Sequence, residues 1–387
     1  MGWKAWVVAA MFLMGSVIAC GDGSSGGDPT VVPRTPSPTA TTGPLPTEQA
    51  SPFVFVYREF GGGEDILWQL NPTNPDQKAE LARIPHSEGF GVWPSLAPDR
   101  RSIAYVVFPL GARQPRTESQ LWLLDLASER RTQLADRVQL PGLPLWSPDS
   151  STVMVLRNED GQIQLVEAET TGSPTERLAL SVSAEEVLSL FPIGYSADGN
   201  AFYFSQITAT SAGTEIAALD LATGSVTVVM RASPNIVREL ALSPDRRQVA
   251  FAAPECGGVC LADLGTKQVR ALTATQLASV PFRLIWSADG QRVAAGHADA
   301  DDRPDGLVVL ATSGGGEALA APARGFDAPL GWSPDGRFLL VHTSEGTPSN
   351  PGKATIAAID LNSGQRREGG GTGSLPDVMA VGWLSAP

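Results

Sequence analysis

The sequence predicts an all-β fold, a seven-bladed β-propeller whose C-terminal strand completes its N-terminal blade. Three observations carry this. A turn phrase of the Ser-Pro-Asp-Gly type, varied at no more than two positions, recurs six times at intervals of 44 to 50 residues. A strand ending near Asp-Leu-x-x-Gly, or a weaker copy of it, recurs seven times. One strand at each end of the repeating region lacks its partner.

The chain opens MGWKAWVVAAMFLMGSVIAC, where Lys4 precedes an uncharged run from Ala5 to Ala19. As a helix, fifteen residues rise only about 22 Å, short of the ~30 Å hydrocarbon core, so residues 1–19 are expected to be a signal peptide rather than a span. The run ends Val17-Ile18-Ala19-Cys20, which resembles the bacterial lipobox. That resemblance implies a diacylated (palmitate-type) Cys20 as the mature N-terminus, and an extracytoplasmic protein anchored to a bacterial membrane at the cell surface or in the periplasm. Residues 20–52 follow as a tether: from Gly21 to Pro52, 22 of 32 residues are Gly, Pro, Ser or Thr. Such a segment has too little apolar surface to offset its ordering entropy. It would reach roughly 30 Å as a random coil.

Residues 53–387 carry the repeat. The turn phrase reads LAPDRRSIAYV from Leu96, WSPDSSTVMVL from Trp146, YSADGNAFYFS from Tyr195, LSPDRRQVAFA from Leu242, WSADGQRVAAG from Trp286 and WSPDGRFLLVH from Trp332. Ser suits the first position of a type I turn, Pro the second and Asp the third, and Gly accepts the left-handed conformation at the fourth. Arg100, Ser150 and Arg246 replace that Gly. If the geometry holds, each carries roughly 1–2 kcal/mol of strain. An Asp found in every turn holds the turn and is not catalytic. The residue opening each phrase, with Trp383 as the seventh, is expected to pack between neighbouring blades.

The second phrase includes LWLLDLASE, IAALDLATG, VCLADLG and IAAIDLNSG, with a short strand after each. Four short strands and three turns make a propeller blade. Counting turn phrases alone would allow six blades; the seven Asp-Leu-type strands give seven. The first of these, at residues 66–71, has no inner strand before it. The unmatched inner strand is VMAVGWLSAP at the C-terminus, so the last strand should close the first blade. These residues resemble the TolB-like (WD40-like, Pro-Asp) propeller repeat over nearly all of 53–387. The resemblance implies an envelope propeller that binds other proteins. TolB itself has six blades, and the count here departs from it.

Of three cysteines, Cys20 is assigned to lipid, and Cys256 and Cys260 flank Gly-Gly-Val. A three-residue hairpin loop would set these two opposite each other, favouring a disulfide worth about 2 kcal/mol. Zinc would need two further ligands. The formal charge is −13, from 28 Lys+Arg and 41 Asp+Glu. Cleavage removes Lys4 and no acid, taking it to −14, which argues against nucleic acid as a partner.

Gly23-Ser-Ser25-Gly-Gly27 matches G-x-S-x-G but lies in the tether, without the strand and helix of a nucleophile elbow. No phosphate loop, dinucleotide fingerprint or H-E-x-x-H motif is present, and no cofactor is expected. In a meander the two phrases turn on one face. The longer connections YREFGGGED, FPLGARQPRTES, HADADDRPDG and TSEGTPSNPGK share the other. Binding is expected there, through Tyr57, Arg58, Arg113, Arg116, His297 and Arg303. His86, His297 and His342 fall on the same face, with Asp299, Asp301 and Asp302 beside His297. Imidazole and carboxylate together could hold a divalent ion and activate water. The expected function is a non-enzymatic binding scaffold for a protein, peptide or envelope polymer. The alternative is a metal-assisted hydrolase or lyase using the His/Asp cluster.

Overall fold

The computed structural model describes residues 51–386 apart from 212, 238, 273–278, 300–303, 320–321, 323–324, 348–349, 351 and 374–377. Residues 1–50, which hold the expected signal peptide, Cys20 and all but the last two residues of the expected tether, lie outside the described residues. The compact unit begins at Ser51, two residues before the expected boundary. Ser51 is buried, and its hydroxyl both donates to the Phe53 carbonyl and accepts the Phe53 N–H.

Seven four-stranded antiparallel sheets form the ring. Their inner strands are Val378–Ser385, Trp93–Leu96, Leu145–Trp146, Val187–Tyr195, Leu240–Leu242, Ser279–Trp286 and Phe326–Trp332, numbered here as blades one to seven. Six are continuous meanders. Blade one joins both ends of the chain: Val378–Ser385 pairs with Phe53–Glu59, from Phe53 opposite Ser385 to Glu59 opposite Val378. Ala386 N–H donates to Pro52 O at 2.8 Å beyond it. The seventh blade and the closure are as the repeat count predicts.

Each Pro-Asp turn follows its sequence. The fourth residue has φ between 61° and 74° in all six, including Arg100, Ser150 and Arg246. Its N–H donates to the carbonyl of the first residue. In five turns the Ser hydroxyl donates to the Asp carboxylate at 2.5–2.6 Å. The same carboxylate accepts a backbone N–H two residues on, at 2.9–3.2 Å across all six. These bonds hold the carboxyls of Asp149, Asp198 and Asp289 below the usual range, the Ser hydroxyl contributing most. The repeated Asp is fully committed to its turn.

The core is a set of slabs between blades. Along Phe338–Ser344 every residue is buried, because a neighbour covers each side of the sheet. Phe338 and Leu340 pack with Phe55, Tyr57 and Leu70 of blade one, whereas Leu339 and Val341 pack with Ala294, Leu307 and Val309 of blade six. Side-chain alternation thus sends successive residues to opposite neighbours. Trp146, Tyr195, Trp286, Trp332 and Trp383 are buried against the preceding blade. Three of these indoles donate to the preceding inner strand, to Ser95, Ala241 and Ile285 carbonyls. At Leu242, which lacks an indole, Arg246 donates instead to Tyr195 O at 3.1 Å.

Candidate functional site

The turns carrying the two phrases lie on one face, and the connections from second to third strand and from blade to blade lie on the other. These connections are shorter than the sequence suggested in blades one and six. The second strand of blade one continues to Glu59 and the third starts at Glu64, so Tyr57 and Arg58 belong to a strand. Both are buried, at 1% and 3% exposure. Neither projects from this face, which corrects their assignment to a binding surface. Tyr57 is packed beside Phe55, and burial, then Glu59, pushes its phenol pKa up.

Arg58 belongs to a buried polar cluster. Asp65, fully buried, lies 3.5 Å from its guanidinium. Asp65 also accepts N–H donors from Gly61 at 3.0 Å and Val92 at 2.7 Å, and pairs with His86 Nε2 at 3.0 Å. His86 Nδ1 faces Ser87 O at 2.9 Å. With an acceptor at each ring nitrogen, both nitrogens donate and His86 holds a proton. Burial opposes that charge, but the bonds to Asp65 and Ser87 outweigh it and raise the pKa. Phe60 stacks on the imidazole and lies under the Arg58 guanidinium. The cluster pins the Phe60–Gly63 loop to the connection entering blade two.

The other histidines are also inside. His297 sits on Arg292–Asp299 opposite Pro281 and Gly306 and is 6% exposed. His342 is fully buried; desolvation, then the charge of Arg283, lowers its pKa to about 3. Among the described residues no group of three His, Cys, Asp or Glu side chains is placed to hold a metal ion. The loop written HADADDRPDG is mostly strand, ending at Asp299 and resuming at Pro304. Asp301, Asp302 and Arg303 lie outside the described residues.

Arg113 and Arg116 are exposed on the blade-two connection, around a one-turn helix at Pro115–Glu118. Glu118 steadies that loop by accepting Arg113 N–H at 2.6 Å. Sequence reasoning missed the apolar character of the same face. Leu110, Leu143 and Ile236, on connections of blades two to five, are 66%, 48% and 62% exposed. Leu188 and Phe191 add to them near the start of the blade-four inner strand. The remaining exposed large apolar residues among the described ones, Leu178, Val226, Val228 and Val269, lie on outer strands of blades three to five. None of the nine sits in a turn of the opposite face. Single apolar residues in connections read as ordinary loop in the sequence, and only the topology assigns them to one face. A shallow hollow of about 710 Å³ opens on the turn face, where Leu81, Pro98, Arg100 and Leu384 meet at the ring closure.

Cys256 and Cys260 are joined, with Cα atoms 5.4 Å apart. They are not opposite each other across a hairpin. Ala253 pairs with Gly258 and Phe251 with Cys260, while Cys256 lies in a 3-10 turn over Pro254–Cys256. Gly257, with φ 64°, brings the backbone round again.

No family model matches the sequence. Among solved structures, a prolyl endopeptidase superposes with TM-score 0.61 at 12% identity, over 86% of this protein and 50% of that one. The periplasmic gluconolactonase PpgL of Pseudomonas aeruginosa gives 0.57 at 18%, over 87% and 99%. TolB of Acinetobacter baumannii gives 0.49 at 16%, over 86% and 65%. The sequence therefore spans about two thirds of that TolB and half of the endopeptidase. These neighbours mix enzymes with TolB proteins. What the protein shares with the endopeptidase and PpgL is the β-propeller fold, which here has seven blades, and TolB proteins are among its structural neighbours.

Proposed function

We propose that the protein is a lipid-anchored, extracytoplasmic scaffold that binds a protein or peptide partner on the face opposite the Pro-Asp turns, and that it is not an enzyme. The observation that carries this is the exposure of Leu110, Leu143, Leu188, Phe191 and Ile236 on connections and strand starts of that face, with Arg113 and Arg116 on the same connection as Leu110. Exposed apolar side chains set among polar ones, with arginine nearby, are the composition of a protein-binding patch. The turn face offers little comparable, since its carboxylates and hydroxyls are spent on local hydrogen bonds. The anchor rests on the Val17-Ile18-Ala19-Cys20 sequence and on the Pro- and Thr-rich segment after it.

The test is capture from solubilised native membranes. The triple variant Leu110→Ser, Leu143→Ser, Ile236→Ser should lose the protein that wild type enriches and keep its melting temperature. Asp335→Ala, on the turn face, should lower the melting temperature and still capture it. Loss by the turn variant while folded, with retention by the triple variant, would place binding on the other face. For the anchor, Cys20→Ser should release the head into buffer without detergent. If wild type is released equally, no lipid holds it.

A further inference from the structure

The axial side of the ring holds a cation that nothing above accounts for. Six of the seven pairs of successive inner strands lie in contact, and the inner strands of a propeller ring a central channel. Three residues before the column position, the seven blades carry Trp93, Leu143, Pro192, Glu239, Arg283, Pro329 and Ala380. Arg283 is the single cation in that tier.

Its backbone is built to present it. The inner strand of blade six slips register between Phe282 and Ile285, and Arg283 occupies the bulge at φ 50°. A long side chain in left-handed backbone is strained, and bulges commonly re-aim a side chain beside a binding site. The N–H freed by the bulge is taken by Glu239 Oε2 at 2.6 Å, from the same tier of blade five. Arg283 is half-buried. Among the described residues its guanidinium makes no hydrogen bond or ion pair, which for a confined arginine is unusual. Desolvation disfavours its charge, and that charge in turn bears on the buried His342 of blade seven.

A guanidinium presents a planar fork of donors that matches an oxyanion two bonds at a time. Glu239, one blade away, already supplies one negative charge. Arg283 and Glu239 together carry no net charge, so a dianion would meet more repulsion than a monoanion, and a monoanionic, planar carboxylate matches the guanidinium fork. We propose that Arg283 is the anchor of a carboxylate-binding subsite in the axial channel. The carboxylate belongs to a ligand or to a partner segment entering from the long-connection face, where it is either an acidic side chain or the terminal carboxylate of a polypeptide. The partner-segment form rests on the reading of that face as a protein-binding surface; the subsite itself does not.

The test uses the full head with acetate as the probe, following the Arg283 side-chain Nε–H by NMR, with sodium chloride as the ionic-strength control. Wild type should shift saturably with acetate in the millimolar range and not with chloride. Arg283→Gln should weaken acetate binding about tenfold or more, the usual scale for losing charge-assisted bonds, as read from chemical shifts of neighbouring backbone amides. Arg283→Lys should fall between, because it keeps the charge and loses the fork. Glu239→Gln keeps an acceptor for Arg283 N–H and removes the competing charge, so it should bind acetate several-fold tighter. That variant keeps the proposal testable if Arg283→Gln fails to fold. Saturation by chloride equal to acetate, or unchanged binding in either the Arg283→Gln or the Glu239→Gln protein, overturns the subsite. To separate the sources, a tetrapeptide of glycines with a free C-terminus is compared with its amide and with an amide containing one Asp. Binding by the first alone assigns a C-terminus, and binding by the third an acidic side chain. Binding by neither, with acetate still bound, confines the subsite to small carboxylates and overturns its partner-segment form. Because acetate is titrated without any protein partner, failure here leaves the face-binding reading standing.

Discussion

At the scale of single residues, left-handed backbone is where sequence and packing bargain most visibly. Three Pro-Asp turns end in glycine, and three place a side chain at φ 61–64°. Each of those three side chains touches the preceding blade. The Arg100 guanidinium lies over Phe53, Ser150 Oγ accepts Asp99 N–H, and Arg246 donates to Tyr195 O. The inter-blade contact offsets strain of about 1–2 kcal/mol. Arg246→Ala should therefore lose roughly 1–2 kcal/mol, keeping the strain and dropping the bond. Arg246→Gly should stay within about 0.5 kcal/mol of wild type, since strain and bond leave together. Denaturant unfolding of the two variants decides it, and an alanine protein as stable as the glycine one would refute the account. The histidines give a second expectation. His342 is held neutral, with its pKa lowered to about 3 by burial and by Arg283. The unfolded protein takes a proton near the ordinary 6.5, so stability should erode as pH falls below that value toward 3. His86 is raised instead. Its contribution is complete below 6.5 and is lost as pH rises through its folded value. Melting followed against pH should lose acid-side slope in His342→Gln and alkaline-side slope in His86→Gln.

At the scale of strands and turns, the Pro-Asp turns were legible because their chemistry is local: four residues determine φ, the hydroxyl–carboxylate bond and the reversal. The third strands were legible because Asp-Leu-x-x-Gly is local too. Tyr57 and Arg58 were not, since a run such as YREFGGGED does not say where pairing stops. Partner strands on both sides, opposite Trp68 and Leu67 and opposite Ala380 and Met379, extend the strand to Glu59. The histidines failed for the same reason: their faces depend on which blade covers them. Arg283 escaped notice because a bulge has no signature in SVPFRLIW. Blade seven shows how such long-range polar contacts are secured. Arg366, on the outer strand, makes bonds of 2.7 and 2.9 Å to Asp327, a fully buried carboxylate on the inner strand. Thr343 donates to the same carboxylate at 2.7 Å. Arg366→Met should cost about 3–5 kcal/mol by stranding that charge. Adding Asp327→Leu and Thr343→Val should recover much of it. No recovery in the triple variant would mean that Arg366 acts through packing instead.

At the scale of the whole molecule, the ring depends on one non-local pairing, formed between residues more than 300 positions apart. Six blades complete themselves from neighbouring sequence, while blade one waits for Val378–Ser385. That strand also supplies Val378 and Trp383 to the slab between blades seven and one. Truncation after residue 377 therefore removes an inner strand, opens the edge of Phe53–Glu59 and leaves Phe55 and Leu330 partly uncovered. Such an edge invites association with other molecules. The truncated head should lose its cooperative unfolding transition and aggregate. Misfolding from the truncation itself is separated from loss of closure by a circularly permuted head. Ala386 and Pro52 are hydrogen-bonded neighbours at the open end of this strand pair. Moving residues 378–386 in front of Pro52, through a turn such as the Ser-Pro-Asp-Gly of the other blades, makes blade one a continuous meander. The permuted head then carries every native strand, its closing contact becomes local, and folding should speed up because less loop entropy is lost before that contact forms. The expected result is a single cooperative melt near that of the native head, with faster refolding from denaturant. A truncated head that melts like the full one, or a permuted head that does not fold, would show that the ring is not held shut by this strand.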